Sequence, residues 1–318
     1  MTVPTGTFQA HSAIGQREDL TDVIYSISPT ETPFMSSIGK TKATAVFHEW
    51  QTDSLAAATT SNAAVEGDDA TAATLSATVR LGNYCQIVQK TVQVSGTLEA
   101  VNKAGRKSEK AYQLAKASAE LKRDMETILL SNQGRSAGTS STARKLGSLL
   151  SWIKTNSDVG TSGVDPATIG VSTRTDGTQR TFNEALLKTV VSEVYVSGGN
   201  PKVLMVGAAG KQKASSFAGI AEQRFMAPAN TPTTIIGAAD VYMSDFGTMS
   251  IVPNRFMRVR DALVLDPEYA ALAYLRPFQT NELAKTGDSE KTQILAEFTL
   301  EVKNEAAHGI VADLDMSL

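Results

Sequence analysis

Residues 206–211 are the first candidate for chemistry, because two glycines and a lysine lie between a predicted strand and a predicted helix. A phosphate-binding loop of this kind needs four residues between its glycines and a Ser or Thr directly after the lysine. Here two residues separate Gly207 from Gly210, and Gln212 follows Lys211. The spacing therefore predicts a tight strand-to-helix turn, and a nucleotide-using enzyme remains only the less favoured alternative.

A second candidate is the triplet Asp245-Phe246-Gly247, which copies the metal-binding sequence of protein kinases. No His-Arg-Asp catalytic loop or glycine-rich loop precedes it, and no Gly-x-Ser-x-Gly motif occurs anywhere in the chain. The triplet is therefore predicted to be a hairpin turn. Since no motif combines a nucleophile with a base, the sequence predicts a protein that is not an enzyme and that needs no cofactor.

The three histidines and the single cysteine offer little further chemistry. His11, His48 and His308 are too far apart for the paired histidines of a helical zinc motif, and one cysteine excludes an internal disulfide. We expect His48 to be solvated beside Glu49, and His308 to lie on a surface or at an interface. Cys85 falls on the apolar phase of a predicted strand, which favours a small buried hydrophobic residue.

The composition is that of a globular protein, with 318 residues of which 42% are hydrophobic and 20% are charged. Thirty basic and 33 acidic side chains give a net charge of -3, which disfavours a dedicated DNA-binding domain. Residues 1–19 lack the basic start and apolar run of a secretory signal. A long uncharged stretch, residues 225–239, is interrupted by prolines. We therefore expect no membrane segment and a chain made in a reducing compartment.

The clearest element follows residue 95. No proline occurs between residues 95 and 132, and apolar residues recur there at spacings of three, four and seven. This pattern predicts one long amphipathic helix over about residues 96–132, lying across a surface. A basic stripe occupies its first half, formed by Lys103, Arg106, Lys107 and Lys110.

Before this helix, residues 43–94 are predicted to form a long two-stranded excursion. Residues 54–77 are dominated by Ala, Thr and Ser, which is typical of a loop tip that packs no core. The apolar phase of the second strand switches at Val88, which indicates a bulge. The tip carries an acidic cluster, formed by Glu66, Asp68 and Asp69.

The basic stripe has three interpretations: a solvated helix face, a surface for the acidic tip of another copy, or a DNA contact, which the net charge weakens. If the tip meets the stripe, reversing Asp68 and Asp69 to lysine impairs assembly more than folding.

The remaining sequence predicts an α+β protein. A capping box at residues 181–184 opens a helix, residues 203–206 form a central strand, and residues 294–303 alternate as a last strand. Two hairpins are predicted, one joining residues 235–243 to 249–252 and one joining residues 262–265 to 270–275. The first 42 residues are predicted to form an extended arm whose apolar residues need burial, either on its own body or on a neighbouring subunit. An arm, a hairpin and a long helix that cannot bury themselves favour an assembly subunit.

Several segments resemble one subfamily of the major capsid proteins of tailed bacteriophages, which have the Hong Kong 97-like (HK97-like) fold. The resemblance extends over nearly the whole chain, and the segments that carry it appear in the expected order: residues 15–20 (Gly-Gln-Arg-Glu-Asp-Leu), 27–34 (Ile-Ser-Pro-Thr-Glu-Thr-Pro-Phe), 119–126 (Ala-Glu-Leu-Lys-Arg-Asp-Met-Glu), 265–267 (Leu-Asp-Pro) and 271–277 (Ala-Leu-Ala-Tyr-Leu-Arg-Pro).

The resemblance implies a division of the chain into five segments. They are an N-arm at residues 1–42, an extended E-loop at 43–94 that lies over a neighbouring subunit, a peripheral domain at 95–180 with a spine helix at about 96–132, an axial domain at 181–260 around fivefold and sixfold centres, and returning strands of the peripheral domain at 261–318.

The resemblance also implies a function. Copies of the chain, made in the cytoplasm of the bacterial host, assemble as pentamers and hexamers into an icosahedral virion shell around double-stranded DNA, without sequence-specific DNA binding. A portal and a separate scaffolding protein are implied as partners, since no fused scaffold precedes the arm, and a decoration protein is an open addition. An encapsulin-like compartment of the same fold is the alternative.

One departure from the family concerns cross-linking. Some relatives join an E-loop lysine covalently to an asparagine of the next subunit. No lysine occurs here between Lys42 and Lys90. We therefore expect a shell held by non-covalent contacts, which an SDS-resistant ladder of linked subunits would contradict.

Overall fold

A computed structural model describes residues 30–67, 69, 72–217 and 240–316. The described residues form a mixed α+β fold. Its α-helices are α1 (Pro33–Ser37), α2 (Gly96–Ala100), α3 (Glu109–Leu129), α4 (Leu149–Trp152), α5 (Glu184–Val196) and α6 (Ala208–Ala214). Its strands are β1 (Gly39–Lys42), β2 (Phe47–Thr52), β3 (Val79–Tyr84), β4 (Gln86–Ser95), β5 (Ser157–Asp158), β6 (Arg180–Thr181), β7 (Val203–Val206), β8 (Val241–Ser244), β9 (Gly247–Pro253), β10 (Ala262–Leu265), β11 (Ala270–Leu283), β12 (Ser289–Val302), β13 (Gly309–Val311) and β14 (Leu314–Asp315).

The larger hydrophobic core lies between α3 and a four-stranded sheet with the order β1-β11-β12-β4. From α3, Leu121 and Met125 enter this core, as the predicted apolar stripe requires. Trp152 of α4 and Phe298 of β12 are fully buried in the same core. The strand predicted at residues 294–303 is confirmed as part of β12, which β11 and β4 flank, but it is not the last strand, because β13 and β14 follow it.

A second core lies around a six-stranded sheet with the order β5-β13-β10-β7-β9-β8. Strand β7 lies inside this sheet between β10 and β9, which confirms the prediction of a central strand. Helix α5 contributes Val190 and Val194 to the core. The predicted helix start is displaced, because Asn183 and not Thr181 is the N-cap and accepts a hydrogen bond from the Leu186 amide at 3.0 Å.

The prediction of one helix over about residues 96–132 is wrong, because the structure has two helices, α2 and α3, joined by residues 101–108. Ser95 caps α2 and Ser108 caps α3 through side-chain oxygens. Between them Gly105 has a φ of 74°, which a right-handed helix does not allow. The carboxylate of Glu99 accepts a hydrogen bond from the Glu109 amide at 2.9 Å and so stabilises the break.

Strand pairing also departs from two predictions. The two-stranded excursion ends at Tyr84, because β3 pairs with β2 whereas β4 leaves the hairpin and pairs with β12. The switch of the apolar phase that was predicted at Val88 reflects this change from one sheet to the other. The change occurs at Cys85, the residue between β3 and β4. The predicted hairpin of residues 262–265 with 270–275 is wrong, because β10 lies between β7 and β13 while β11 lies between β1 and β12.

Within the described residues, no helix combines the length and the apolar character that crossing a membrane requires.

Candidate assembly interface

The tip of the β2–β3 hairpin, here the described residues of 53–78, is fully exposed. Leu55 is 99% exposed, Val65 76% and Leu75 90%, so these three apolar side chains are left uncovered by their own chain. Glu66 and Asp69 lie in this tip, whereas Asp68 lies outside the described residues. An exposed segment that carries large apolar side chains gains free energy only when another surface covers it.

The root of the same hairpin is firmly held. Trp50 of β2 packs against Trp152, with 5.3 Å between ring centroids. Asn83 of β3 is fully buried and donates from Nδ2 to the carbonyls of Gly147 at 3.0 Å and Leu300 at 2.8 Å. Its Oδ1 accepts from the Gly147 amide at 2.7 Å, so the amide is satisfied in both directions. The hairpin is therefore rigid at its base and uncovered at its end.

His48 belongs to this root, and the expectation that it is solvated is wrong. Its side chain is only 15% exposed, and Nε2 lies 3.1 Å from Oε2 of Glu301 on β12. The same oxygen accepts a hydrogen bond from the Thr41 hydroxyl at 3.0 Å. Three strands, β1, β2 and β12, therefore meet at one carboxylate.

The basic stripe is largely neutralised by its own chain. Lys107 is exposed and forms no ion pair with the described carboxylates. The other three residues of the stripe have partners: Lys103 with Glu99 at 3.7 Å, Arg106 with Glu109, and Lys110 with Glu282 at 2.8 Å and Glu290 at 3.2 Å.

The structure therefore does not bring Glu66 and Asp69 together with the stripe in one chain, and contact between the two in neighbouring subunits stays a prediction.

A functional group that the sequence analysis missed is Glu126, a fully buried carboxylate on α3. It accepts hydrogen bonds from the amides of Phe34 at 2.7 Å and Met35 at 2.9 Å, the first residues of α1, and from Nδ2 of Asn254 at 2.7 Å. Burial raises the pKa of Glu126, and these hydrogen bonds oppose the rise. The carboxylate joins α1 and the end of β9 to α3. The sign of burial available in the sequence was that Glu126 directly follows Met125, at the edge of the apolar stripe.

The two candidate enzyme motifs are turns, as predicted. Gly207 is the single residue between β7 and α6, and residues 208–211 already belong to the helix. Nζ of Lys211 donates to the Ile251 carbonyl at 2.8 Å and to Asp240 at 3.0 Å. The lysine is therefore engaged within the fold. Asp245 and Phe246 form the turn between β8 and β9. The described residues contain no group of three or more side chains suited to a metal ion.

Cys85 and His308 are both buried. Burial raises the pKa of the Cys85 thiol to about 11, so the thiol is unreactive at neutral pH, and the prediction of a buried hydrophobic residue is confirmed. The prediction of a surface or interface position for His308 is wrong, because its side chain is fully buried between β10 and β13 and Nδ1 accepts from the Asp266 amide at 3.4 Å.

Comparison with known proteins gives consistent matches over nearly the whole chain. The sequence pattern of a family described as SU10 major capsid protein matches residues 3–315. The major capsid protein of Escherichia phage Phieco32 is 28% identical over 356 residues, which cover 98% of this chain and 97% of that protein.

Solved structures share the fold at low sequence identity. The capsid asymmetric unit of cyanophage A-1(L) matches with a TM-score of 0.67 at 11% identity and covers 96% of this chain and 98% of that chain. The holo-SrpI encapsulin complex from Synechococcus elongatus matches with a TM-score of 0.58 at 10% identity, covering 95% and 94%.

Proposed function

Because this chain belongs to the SU10 major capsid protein family, we propose that its copies associate non-covalently into an icosahedral shell around the double-stranded DNA of a tailed phage. The protein is a phage major capsid protein with the HK97-like fold, a structural component of the virion and not an enzyme. The non-covalent contacts, the icosahedral symmetry and the DNA content are the parts we propose.

The observation that supports this proposal best is the uncovered tip of the β2–β3 hairpin. It exposes Leu55, Val65 and Leu75 on a root that Asn83 and Trp50 hold in place. A rigid base places the tip reproducibly, and repeated association of identical copies would bury it. A solitary protein would gain nothing from this arrangement.

Within this proposal the segments keep the roles that the family resemblance implies. Residues 1–42 serve as N-arm, 181–260 as axial domain around fivefold and sixfold centres, and 95–180 and 261–318 as peripheral domain. The E-loop, predicted at 43–94, ends at Tyr84, because β4 belongs to the four-stranded sheet of the peripheral domain. We include a portal and a separate scaffolding protein as partners, with a decoration protein as an open addition. The shell needs no sequence-specific DNA contact, which suits a net charge of -3.

The absence of a lysine between Lys42 and Lys90 supports non-covalent assembly, because an isopeptide bond at the tip would need an amine there. An encapsulin-like compartment remains the second candidate, favoured only by the fold shared with the SrpI complex.

The test is to purify particles from infected or co-expressing cells and to image them by electron microscopy. We expect faceted shells that protect double-stranded DNA from nuclease and that release single subunits after boiling in SDS. Shells filled with protein and free of DNA would support the encapsulin-like alternative. A ladder of linked subunits would contradict non-covalent assembly.

A further inference from the structure

A cleft of about 570 Å³ opens between α1, β1, α3 and β11. Its walls combine two chemistries. Met35, Tyr274 and Phe278 supply apolar surface, while Lys40 and Lys122 supply ammonium groups. A concave site with apolar walls and a few charged groups is the usual form of a binding site.

The two lysines of this cleft differ from most cations of the chain. Both are exposed, and neither forms an ion pair with a carboxylate of the described residues. The two carboxylates that follow Lys122 on α3 have partners of their own: Asp124 pairs with Lys90 at 3.2 Å, and Glu126 accepts hydrogen bonds from two amides of α1. Nζ of Lys122 lies 6.0 Å from the centre of the Phe278 ring, so charge and apolar surface are adjacent.

The tip of the β2–β3 hairpin offers the two complementary features, an exposed apolar side chain and a negative charge. Val65 is 76% exposed and is followed directly by Glu66, which is also exposed. In its own chain both of these side chains are exposed, so neither fills the cleft of the same subunit. An apolar residue beside an acid matches apolar walls beside two cations.

We propose that this cleft receives the hairpin tip of a second copy of the chain, with Glu66 against Lys40 and Lys122 and Val65 against the aromatic wall. The inference rests on the proposed function and deepens it, because it names the surface that covers the tip. It assigns the receiving surface to the cleft and not to the basic stripe, whose charges are mostly paired within the chain.

A nucleic-acid backbone is the less favoured occupant. Phosphates would use the two ammonium groups, but they would leave the apolar surface of Met35 and Phe278 uncovered.

A charge-swap experiment tests the pairing, with particle yield measured by sedimentation and the fold of each soluble subunit checked by circular dichroism. Lys122→Glu and Glu66→Lys should each lower the yield of particles by about tenfold or more, because each places like charges together. The double variant should recover most of the wild-type yield, since it restores opposite charges. Lys107→Glu, on the stripe, is the matched control and should assemble normally.

The proposal would be overturned if the double variant folds but does not recover assembly. It would also be overturned if Lys107→Glu loses assembly while Lys122→Glu assembles normally. Normal shells of Lys122→Glu that retain less DNA would make the cleft a nucleic-acid surface and would equally overturn it. If wild-type protein forms no particles, the proposed function itself fails. If wild-type shells form and both single reversals assemble normally, only the docking inference fails.

Discussion

At the scale of single residues, the ionisable groups buried in this subunit serve the fold. His308 is the clearest case, because its ring is fully buried and Nε2 has no hydrogen-bond partner among the described residues. Burial lowers the pKa of His308 from 6.5 to about 4, so the native state holds the ring neutral.

A pH titration of stability tests this assignment. In the unfolded chain His308 takes up a proton near pH 6.5, whereas in the native chain it does so only near pH 4. Its stabilising contribution is therefore complete above pH 6.5 and is lost as the pH falls towards 4. Relative to His308→Gln, the unassembled wild-type subunit should lose about 1.4 kcal/mol of unfolding free energy per pH unit in this window. Urea unfolding at several pH values measures the difference.

Asp261 provides a control, because its effect on the pH dependence of stability is opposite to that of His308. Burial raises the pKa of its carboxyl from 3.8 to about 6, so the native state binds this proton more tightly than the unfolded state. The resulting stabilisation is complete below pH 3.8 and is lost as the pH rises through about 6. Compared with Asp261→Asn, the wild type should therefore gain stability on acidification. A wild-type curve parallel to that of His308→Gln would contradict the buried, neutral histidine.

At the scale of elements, the break between α2 and α3 shows how local signals divide a long apolar pattern. The periodicity continues through residues 101–108, but Gly105 with its φ of 74° and the Ser108 cap end one helix and begin the next. The linker also brings Lys110 to the carboxylates of Glu282 and Glu290 at the end of the β11–β12 hairpin.

The direction of the stability change that one substitution causes distinguishes two separate helices from one continuous helix. Gly105→Ala should destabilise the unassembled subunit by about 1 kcal/mol, because a Cβ is unfavourable in the left-handed conformation. In a continuous helix the same change would stabilise by a similar amount. Chemical unfolding measures the effect, and Ala115→Gly, at an exposed position of α3, should cost about 1 kcal/mol in either case.

At the scale of the whole molecule, we propose that folding and association use different parts of the chain. The two cores are built from α1, α3 to α6 and the two larger sheets, and the hairpin tip belongs to neither. The subunit can therefore fold while the surface that drives association remains uncovered.

Removing the tip separates the two processes. Replacing residues 55–76 by a short Gly-Ser linker should change the unfolding free energy of the isolated subunit by no more than about 0.5 kcal/mol, because the described residues of this range are all exposed. The same variant should form no particles in sedimentation or electron microscopy. A loss of several kcal/mol in stability would show that the tip belongs to the folded core, and normal shells would show that association does not need it.

The sequence by itself determined several local elements and the resemblance to the family. Alternation predicted β12, an uninterrupted apolar run predicted β7, and turn residues predicted the β8–β9 hairpin, because these signals depend only on neighbours in the chain. Composition also identified an exposed tip at residues 54–77.

Only the tertiary structure decided which distant segments meet. Strand β4 joins β12 and not β2, and Glu126 reaches amides 92 and 91 residues away, because such pairings depend on burial across the whole chain. His308 and His48 were misplaced for the same reason, since the partners that bury them come from distant strands. The cleft at Lys122 likewise exists only where α1, α3 and β11 come together.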